Sequence, residues 1–476
     1  MTEIARVVKN KELSLLFCRY FLALEQPECI SLGRKQRMDF TRKREMTFAK
    51  LIAFLIFRNG KHSNQDLTHF YSSLNQLHRR ISKQALFKAL RKVNPRVFRY
   101  LIQKFTQLFY QSDLVKTYRS YLLLAEDGSC MDAPLSNESM DRFGFQVNQV
   151  IKEKKDVKTV VAKMGGLFDI TNGFFASVTV KGKSDSEITL AYENIQHSLT
   201  FYKNRKAIYL AGRYYGGIEL FQTLQMNKLN FCIRGKTYFY KDAVATIEKD
   251  GWITLSMTET WLNRIKNQEV RDYMRSQEKI TVRVVKHSLE TPNDKGETHH
   301  LYFTNLTENE FTSDEIVDLY RFRWDIETNY RFFKVDLEAE RFNTHDCDVY
   351  MCKLLSKIIL LNFVGVLKAE VNEQLAVQST KKHQEGFKTK FNCLKYAICE
   401  SRLLVAITTC NITLSKKVLK EILLAAFKNK VPIRNDRHFT RYGRFMKSTS
   451  NYRFTLDGRN KPNVRRTSCG LRTVRP

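Results

Sequence analysis

Residues 320–334 read YRFRWDIETNYRFFK, and the spacing of four of them decides how the whole chain is read. Tyr320, Arg323, Glu327 and Lys334 stand three, four and seven positions apart. At about 100° per residue these intervals keep all four inside an arc of roughly 60°. Leu319, Phe322, Ile326, Phe333 and Leu337 collect on a neighbouring face. The pattern predicts one amphipathic helix, its apolar stripe toward a core and its polar stripe toward something else. Arg323 and Glu327 are also an i,i+4 ion pair, which a purely solvated face would carry as well.

The rest of the chain weighs between these readings. At 476 residues the chain exceeds one ordinary core and predicts about two to four structural units. With 43% hydrophobic residues and seven prolines it is a globular protein. Eighty Lys and Arg against 49 Asp and Glu give a net charge of +31, which points to nucleic acid, because basic side chains that neutralise phosphates release counterions. A membrane surface is the weaker alternative. There is no run of about 20 uncharged apolar residues, and Met1–Asn10 is charged and unlike a signal peptide, so a cytoplasmic, nucleoid-associated location is expected. The ten cysteines form no C-x-x-C pair and no Cys/His quartet; Cys347 and Cys352 are the closest, and buried free thiols are the expectation.

Along the chain, residues 1–118 read as helical, with "FAKLIAFLIF" and "FRYLIQKFTQLFYQSDLV" at helical spacing. Residues 1–120 hold 24 Lys/Arg against 8 Asp/Glu, about half of the positive excess. Within them "RRISKQALFKALRKVNP" (Arg79–Pro95) has an N-cap signal at Ser82. It reads either as the second helix of a helix-turn-helix or as an ordinary basic surface helix. From Tyr121 the period changes. "YLLLAEDGS" is a short apolar run ending in an acidic turn, and "KTVVAKMGGLFDITNGFFASVTV" is two strands about an Asn172-Gly173 turn. "DSEITLAYENIQHSLTFYK" is a helix and "KAIYLAGRYYGG" a buried strand, which together indicate a mixed α/β unit. The β-rich "NFCIRGKTYFY", "KITVRVVKHS" and "HHLYFTNL" then leave that sheet for about 80 residues, until Asp314. "LLSKIILLNFVGVLKAEVNEQLAV" reads as a buried helix or a dimer contact. Residues 434–476, with 12 Lys/Arg against Asp436 and Asp457, read as a basic tail for nucleic acid.

An acid at the open end of a rigid buried strand is well placed for chemistry, and Asp127 in "LAEDGS" reads as one, although a turn aspartate is an equally ordinary role. Joined to Glu327 it gains meaning. Tyr320, two residues, Arg323, three residues, Glu327, six residues, Lys334 resembles at every position the Y-(2)-R-(3)-E-(6)-K signature of the insertion-sequence-4 family of DDE transposases. The resemblance covers about residues 120–370 and includes "DGS" at Asp127, the strand "KAIYLAGRYYGG" and the β-rich insertion.

The resemblance implies a mixed α/β, ribonuclease-H-like catalytic core with an inserted β-rich subdomain and helical N- and C-terminal regions. On that reading residues 1–118 bind DNA, 119–230 and 313–372 form the two parts of the core, 231–312 the insertion and 373–476 the basic C-terminal region. It implies a cut-and-paste DNA transposase acting on double-stranded transposon ends and target DNA, as a homodimer in the DNA complex. Asp127 and Glu327 would be catalytic metal ligands for two Mg²⁺ or Mn²⁺ ions, which stabilise the attacking and leaving oxygens of a phosphoryl displacement. Tyr320, Arg323, Lys334 and Arg213 would touch DNA, arginine with bidentate reach and lysine as a point charge.

One departure stands out. The family's second aspartate closes a strand in a pattern like "LADR", and this chain has "LAGR", with Gly212 at that position. The second ion site is then expected to be weak and cleavage impaired. A non-catalytic regulator that binds transposon ends is the alternative. Asp169 and Asp185 are the nearest carboxylates in sequence that offer a replacement. Trp252 and Trp261 in "GWITLSMTETW" read either as core residues or as platforms for a flipped base.

Overall fold

The structure is a computed structural model that describes residues 10–433 except 43, 59, 61, 151–154, 203–204, 293–295, 343, 377–385 and 401–402. The basic segment 434–476 lies outside the described residues.

One mixed sheet organises the chain. Its strands are β1 (Tyr121–Ala133), β2 (Gln146–Val150), β3 (Lys155–Asp169), β4 (Phe174–Gly182), β5 (Lys206–Ala211), β6 (Asn230–Gly235), β7 (Asp250–Ser256), β8 (Lys279–Ser288) and β9 (His299–Thr304). Their order is β2-β3-β1-β5-β6-β9-β8-β7, with β4 also paired to β3. β1 runs antiparallel to β3 and parallel to β5, which is parallel to β6. That arrangement, three antiparallel strands continued by two parallel ones across β1, is ribonuclease-H-like.

β1 is central because nothing in its first half tolerates water. Leu122, Leu123, Leu124 and Ala125 are all buried, as a strand covered on both faces requires. Alternate residues serve different cores: Leu122 and Leu124 join the large one, Tyr121 and Leu123 a smaller one with Ile208, Leu210 and Tyr320. The expected acidic turn is absent. The strand continues through Asp127 to Ala133, because β3 pairs with it along that whole length, whereas β5 stops opposite Glu126.

The strands expected to leave the sheet instead lengthen it. β9 pairs antiparallel with β6, and β8 and β7 follow outward. The edge of β6 is thereby covered and does not offer unpaired backbone groups to another chain. The Asn172-Gly173 turn forms as read, with Gly173 at φ +78°. The carbonyl of Gly173 faces Gly365 so closely that a Cβ at Gly365 would lie 1.8 Å from it.

Gly365 belongs to the helix Cys347–Ala376, which is buried along most of its length. It is long and apolar enough to cross a membrane, yet its apolar window is wholly buried inside the protein, which makes it a core helix. Phe363 on this helix gathers the N-terminal helices, with ring centroids 4.8 Å from Phe17, 5.3 Å from Tyr20 and 5.5 Å from Phe105. The large apolar core is consequently continuous from Leu13 through the sheet to Phe427. The helix Lys83–Leu90 is capped by Ser82, whose side chain accepts from the Ala85 amide, and it buries Leu86 and Leu90.

Candidate active site at the end of the parallel strand pair

The signature residues lie on two short helices and a π-turn, not on one helix as the spacing suggests. The segments are Ser313–Arg321, Trp324–Arg331 and the π-helical Phe332–Asp336. Between the helices the winding tightens: the amides of Phe322, Arg323, Asp325 and Ile326 each donate three residues back. At the far end it loosens, with the Leu337 amide donating to the Phe332 carbonyl five residues back. The changed winding also turns Phe322 out to solvent, away from the buried Leu319, Ile326, Phe333 and Leu337.

The tight turn carries Arg323 inward. Its Nη2 donates to Glu327 Oε1 at 2.7 Å, its Nη1 stands 3.6 Å from Asp127 Oδ2, and its Nε donates to the Tyr320 hydroxyl at 3.1 Å. The guanidinium also lies near the ring of Trp324, 5.3 Å from its centroid. Two acids 200 positions apart therefore share one cation. Tyr320 is buried, with its ring against Tyr302.

The helix is fastened to β1 at two points. Tyr330 donates from its hydroxyl to the Asp127 carbonyl at 2.8 Å, and Lys334 Nζ donates to the Cys130 carbonyl at 2.6 Å. Gly166, opposite Asp127 in the register, leaves room for Tyr330, since a Cβ there would meet its hydroxyl at 2.9 Å. Lys334 also lies 3.9 Å from Glu340. Arg213 is engaged as well, its Nη1 donating to Glu297 at 3.1 and 3.0 Å, with Arg234 3.7 Å from the same carboxylate.

The electrostatics are those of crowded acids. Burial pushes the Asp127 carboxyl up to about 6; Arg323 pulls it back, while Glu327 and Glu187 push it further up. Burial also holds the Glu126 carboxyl well above the usual range. Asn194 donates to its Oε1 at 2.8 Å, and its Oε2 is buried with no hydrogen-bond partner. Among the described residues, no three His, Cys, Asp or Glu side chains are placed as a ready metal-binding group.

Gly212 follows β5 directly. The last register pair of β1 and β5 is Glu126 with Ala211, so Gly212 comes one step on, beside Asp127. A Cβ at Gly212 would have nothing within 4 Å. Neither proposed replacement reaches this place. Asp169, opposite Leu124, accepts from the Tyr110 hydroxyl at 2.7 Å and from the Asn172 amide at 3.0 Å, which shapes the β3–β4 turn. Asp185 accepts from the Gly182 amide at 2.9 Å and holds the turn after β4. Trp252 and Trp261 are both partly exposed, and the indole of Trp252 donates to Glu308 at 2.7 Å. Sequence reasoning missed Tyr330, Glu126 and Glu187, whose roles depend on the strands they meet.

Residues 120–363 match the family described as transposase DDE domain. A solved structure titled as the cryo-EM structure of the piggyBac transposase synaptic complex with hairpin DNA is similar at 13% identity, over 89% of this chain and 87% of that chain, with a TM-score of 0.42. The comparison with curated proteins gives no match. The matched segment is just over half of the 476 residues and holds both Asp127 and Glu327, and the chain belongs to the transposase DDE domain family.

Proposed function

We propose that the chain is a cut-and-paste DNA transposase of the insertion-sequence-4 kind, working on transposon ends and target DNA as a homodimer in the cytoplasm of a bacterium. The observation that carries this reading is the shared guanidinium: Asp127 and Glu327 face each other across Arg323. Such a family works with divalent cations, and the donor chemistry here suits one. The acids near Asp127 offer only oxygen ligands, and one buried oxygen of Glu126 has no partner. Bound Mg²⁺ or Mn²⁺ would be held by Asp127 and Glu327 and would supply charge stabilisation at the phosphate. The guanidinium of Arg323 stands between the two acids, so an ion held by both carboxylates would need it displaced.

The chain's own residues then divide the work. Arg323, released from the acids, offers a fork that matches a phosphate in two places. Tyr320 holds the Nε edge of that fork and limits where it swings. Lys334 places its charge beside the β1 backbone, where the strand has run past the end of β5 and is paired with β3 alone. Arg213 reaches DNA by exchanging Glu297 for a phosphate.

A second reading is favoured by Gly212, which gives no carboxylate where the family has one: a regulator that occupies transposon ends without cutting them. The two are separated by comparing the full chain with Gly212→Asp on labelled duplexes copied from the DNA flanking its gene, in Mg²⁺ and in Mn²⁺. The open space at Gly212 accepts the new side chain without collision. Cleavage by both proteins supports an active enzyme with another ligand in place. Cleavage by the variant alone supports an impaired transposase. Binding without cleavage by either supports the regulator, and no binding by either overturns both readings.

A further inference from the structure

Four strands contribute to the sheet face that carries Asp127. Leu123, Leu210, Cys232 and Tyr302 share the smaller core with Tyr320. Residues an even number of positions apart on a strand point the same way, so Asp127 on β1, Gly212 just past β5, Arg234 on β6 and His300 on β9 belong to that face too. The β5–β6 register ends at Ala211 with Ile233, which puts Gly212 beside Arg234 as it stands beside Asp127. Arg234 is opposite Tyr302, whose ring packs on Tyr320, the acceptor for Arg323 Nε. At about 4.8 Å per strand, the backbones of Asp127 and Arg234 lie about 10 Å apart. Between them Gly212 presents no side chain.

The far side of this gap is cationic. Arg213, from the 3₁₀ turn Arg213–Tyr215, and Arg234 converge on one carboxylate, that of Glu297, in the connection between β8 and β9. The pairing is incomplete. Arg213 uses a single nitrogen, Nη1, which donates to both oxygens at 3.1 and 3.0 Å, in place of the two-nitrogen fork that arginine can offer. Arg234 Nη2 stops 3.7 Å from Glu297 Oε2, beyond hydrogen-bond reach, and its Nε is buried without a hydrogen-bond partner among the described residues. A buried donor in that condition is unfavourable until an acceptor arrives. Glu297 does not quench the positive potential either. Burial pushes the His300 imidazole down to about 4, and Arg234, His287 and Arg213 push it the same way against Glu297.

We infer that Arg213 and Arg234 form a clamp for one phosphate of the bound DNA and that Glu297 is its internal stand-in, so that the β8–β9 connection competes with DNA for the clamp. The inference deepens the transposase reading and rests on it. A carboxylate tethered to the hairpin reaches Arg213 and falls short of Arg234. A phosphodiester brings the same single charge and two free oxygens without the tether, and it settles between both guanidinium groups. With no side chain at Gly212, nothing from β5 stands between the clamp and Asp127, and one duplex can meet both.

The test is duplex binding by the full chain in EDTA, read by fluorescence anisotropy over a salt series, with the gene-flanking duplex and an unrelated duplex of equal length. Wild type is compared with Arg213→Gln, Arg234→Gln, Glu297→Gln, and Glu297→Gln combined with Arg234→Gln. Glu269→Gln, which removes an exposed acid from the helix Gln268–Gln277, is the control for overall charge. Thermal unfolding checks the fold, and the two arginine variants, from separate elements, replace each other if one fails to fold. Glu297→Gln is expected to bind roughly fivefold tighter than wild type or Glu269→Gln, and each arginine variant roughly tenfold more weakly. The slope of log K against log salt should become shallower by about one in each arginine variant. Both duplexes should respond alike, because a phosphate carries no sequence. In the double variant the gain from Glu297→Gln should disappear. A gain no larger than that of Glu269→Gln, or one that persists with Arg234→Gln, overturns the inference, and so does an effect confined to the flanking duplex. A Glu297→Gln chain that no longer folds makes Glu297 a structural staple and overturns it as well. Arginine variants with the affinity and slope of wild type overturn the clamp and leave the transposase reading standing. A wild type that binds neither duplex overturns both.

Discussion

The carboxylates of Asp127 and Glu327 are joined by the guanidinium of Arg323, 2.7 Å from one and 3.6 Å from the other, although the two acids come from opposite ends of the catalytic core. This cation keeps the crowded acids from repelling each other, and on the proposed function its planar fork is the group that would turn to a phosphate. If it transfers, Arg323→Ala removes one phosphate contact. Binding to the flanking duplex then weakens, and the slope of log K against log salt becomes shallower by about one. Fluorescence anisotropy over a salt series measures this. An unchanged slope would mean that Arg323 stays between the acids.

Asp169 sets a pH dependence away from the site. Burial pushes its carboxyl up to about 6 despite the donors Tyr110 and Asn172. The folded chain therefore binds this proton more tightly than the unfolded chain. Its contribution is fully present below the ordinary aspartate range and is lost as pH rises from about 4 to about 6, by roughly 1.4 kcal/mol per unit of separation. Above that window it adds no slope. Asp169→Asn carries no titrating proton, so the fall in unfolding temperature between pH 4 and 6 should be shallower in the variant, with a lower value throughout from the disturbed turn. Parallel curves would show that another group causes the fall.

The sheet was legible in the sequence because its strands are apolar, short and separated by turn residues. The buried run at Leu122–Ala125, the Asn172-Gly173 turn and the strand at Lys206 all appear where their composition puts them. The signature helix was legible in its residues and not in its shape. A spacing of 3.6 residues per turn assumes uniform winding, and burying Arg323 between two acids and Tyr320 comes with tightened turns at Phe322–Ile326. The packing of Glu187 against Gly128 left almost no trace, because the two stand 59 positions apart. The outward extension of the sheet was equally hidden. A strand pattern predicts pairing but does not name the partner, and β9 finds β6 across about 70 residues.

Gly365 tests the contact between the core helix and the β3–β4 turn. In an open helix, replacing glycine by alanine stabilises by about 1 kcal/mol. Here the added methyl would stand 1.8 Å from the Gly173 carbonyl, and the neighbour is backbone that cannot swing aside. Gly365→Ala is therefore expected to destabilise by about 3 kcal/mol, the upper part of the range for overpacking, measured by urea unfolding. A neutral or stabilised variant would show that the helix and the turn sit further apart.

Tyr330 links stability to catalytic geometry. Its hydroxyl donates to the Asp127 carbonyl at 2.8 Å, and its ring packs on Phe175 with centroids 5.4 Å apart. Tyr330→Phe keeps the ring and deletes the hydrogen bond, so it should cost about 1 kcal/mol of stability, the usual net worth of such a bond. The larger consequence is positional. Tyr330 lies one turn beyond Glu327 on the same helix, and the deleted bond fastens that helix to β1, alongside the Arg323–Asp127 ion pair before it and the Lys334–Cys130 bond from the π-helical segment after it. The Asp127 and Glu327 carboxylates should then meet less often in a productive arrangement. Cleavage of the flanking duplex, in whichever protein of the Gly212 comparison cuts it, is expected to fall tenfold or more in Tyr330→Phe while duplex binding in EDTA is unchanged. Lys334→Gln, which loses both a backbone contact and a charge, should lower cleavage and duplex binding together. If Tyr330→Phe cuts as fast as its parent, the hydroxyl serves the fold alone, and the placing of Glu327 must come from apolar packing of Ile326 and Phe333.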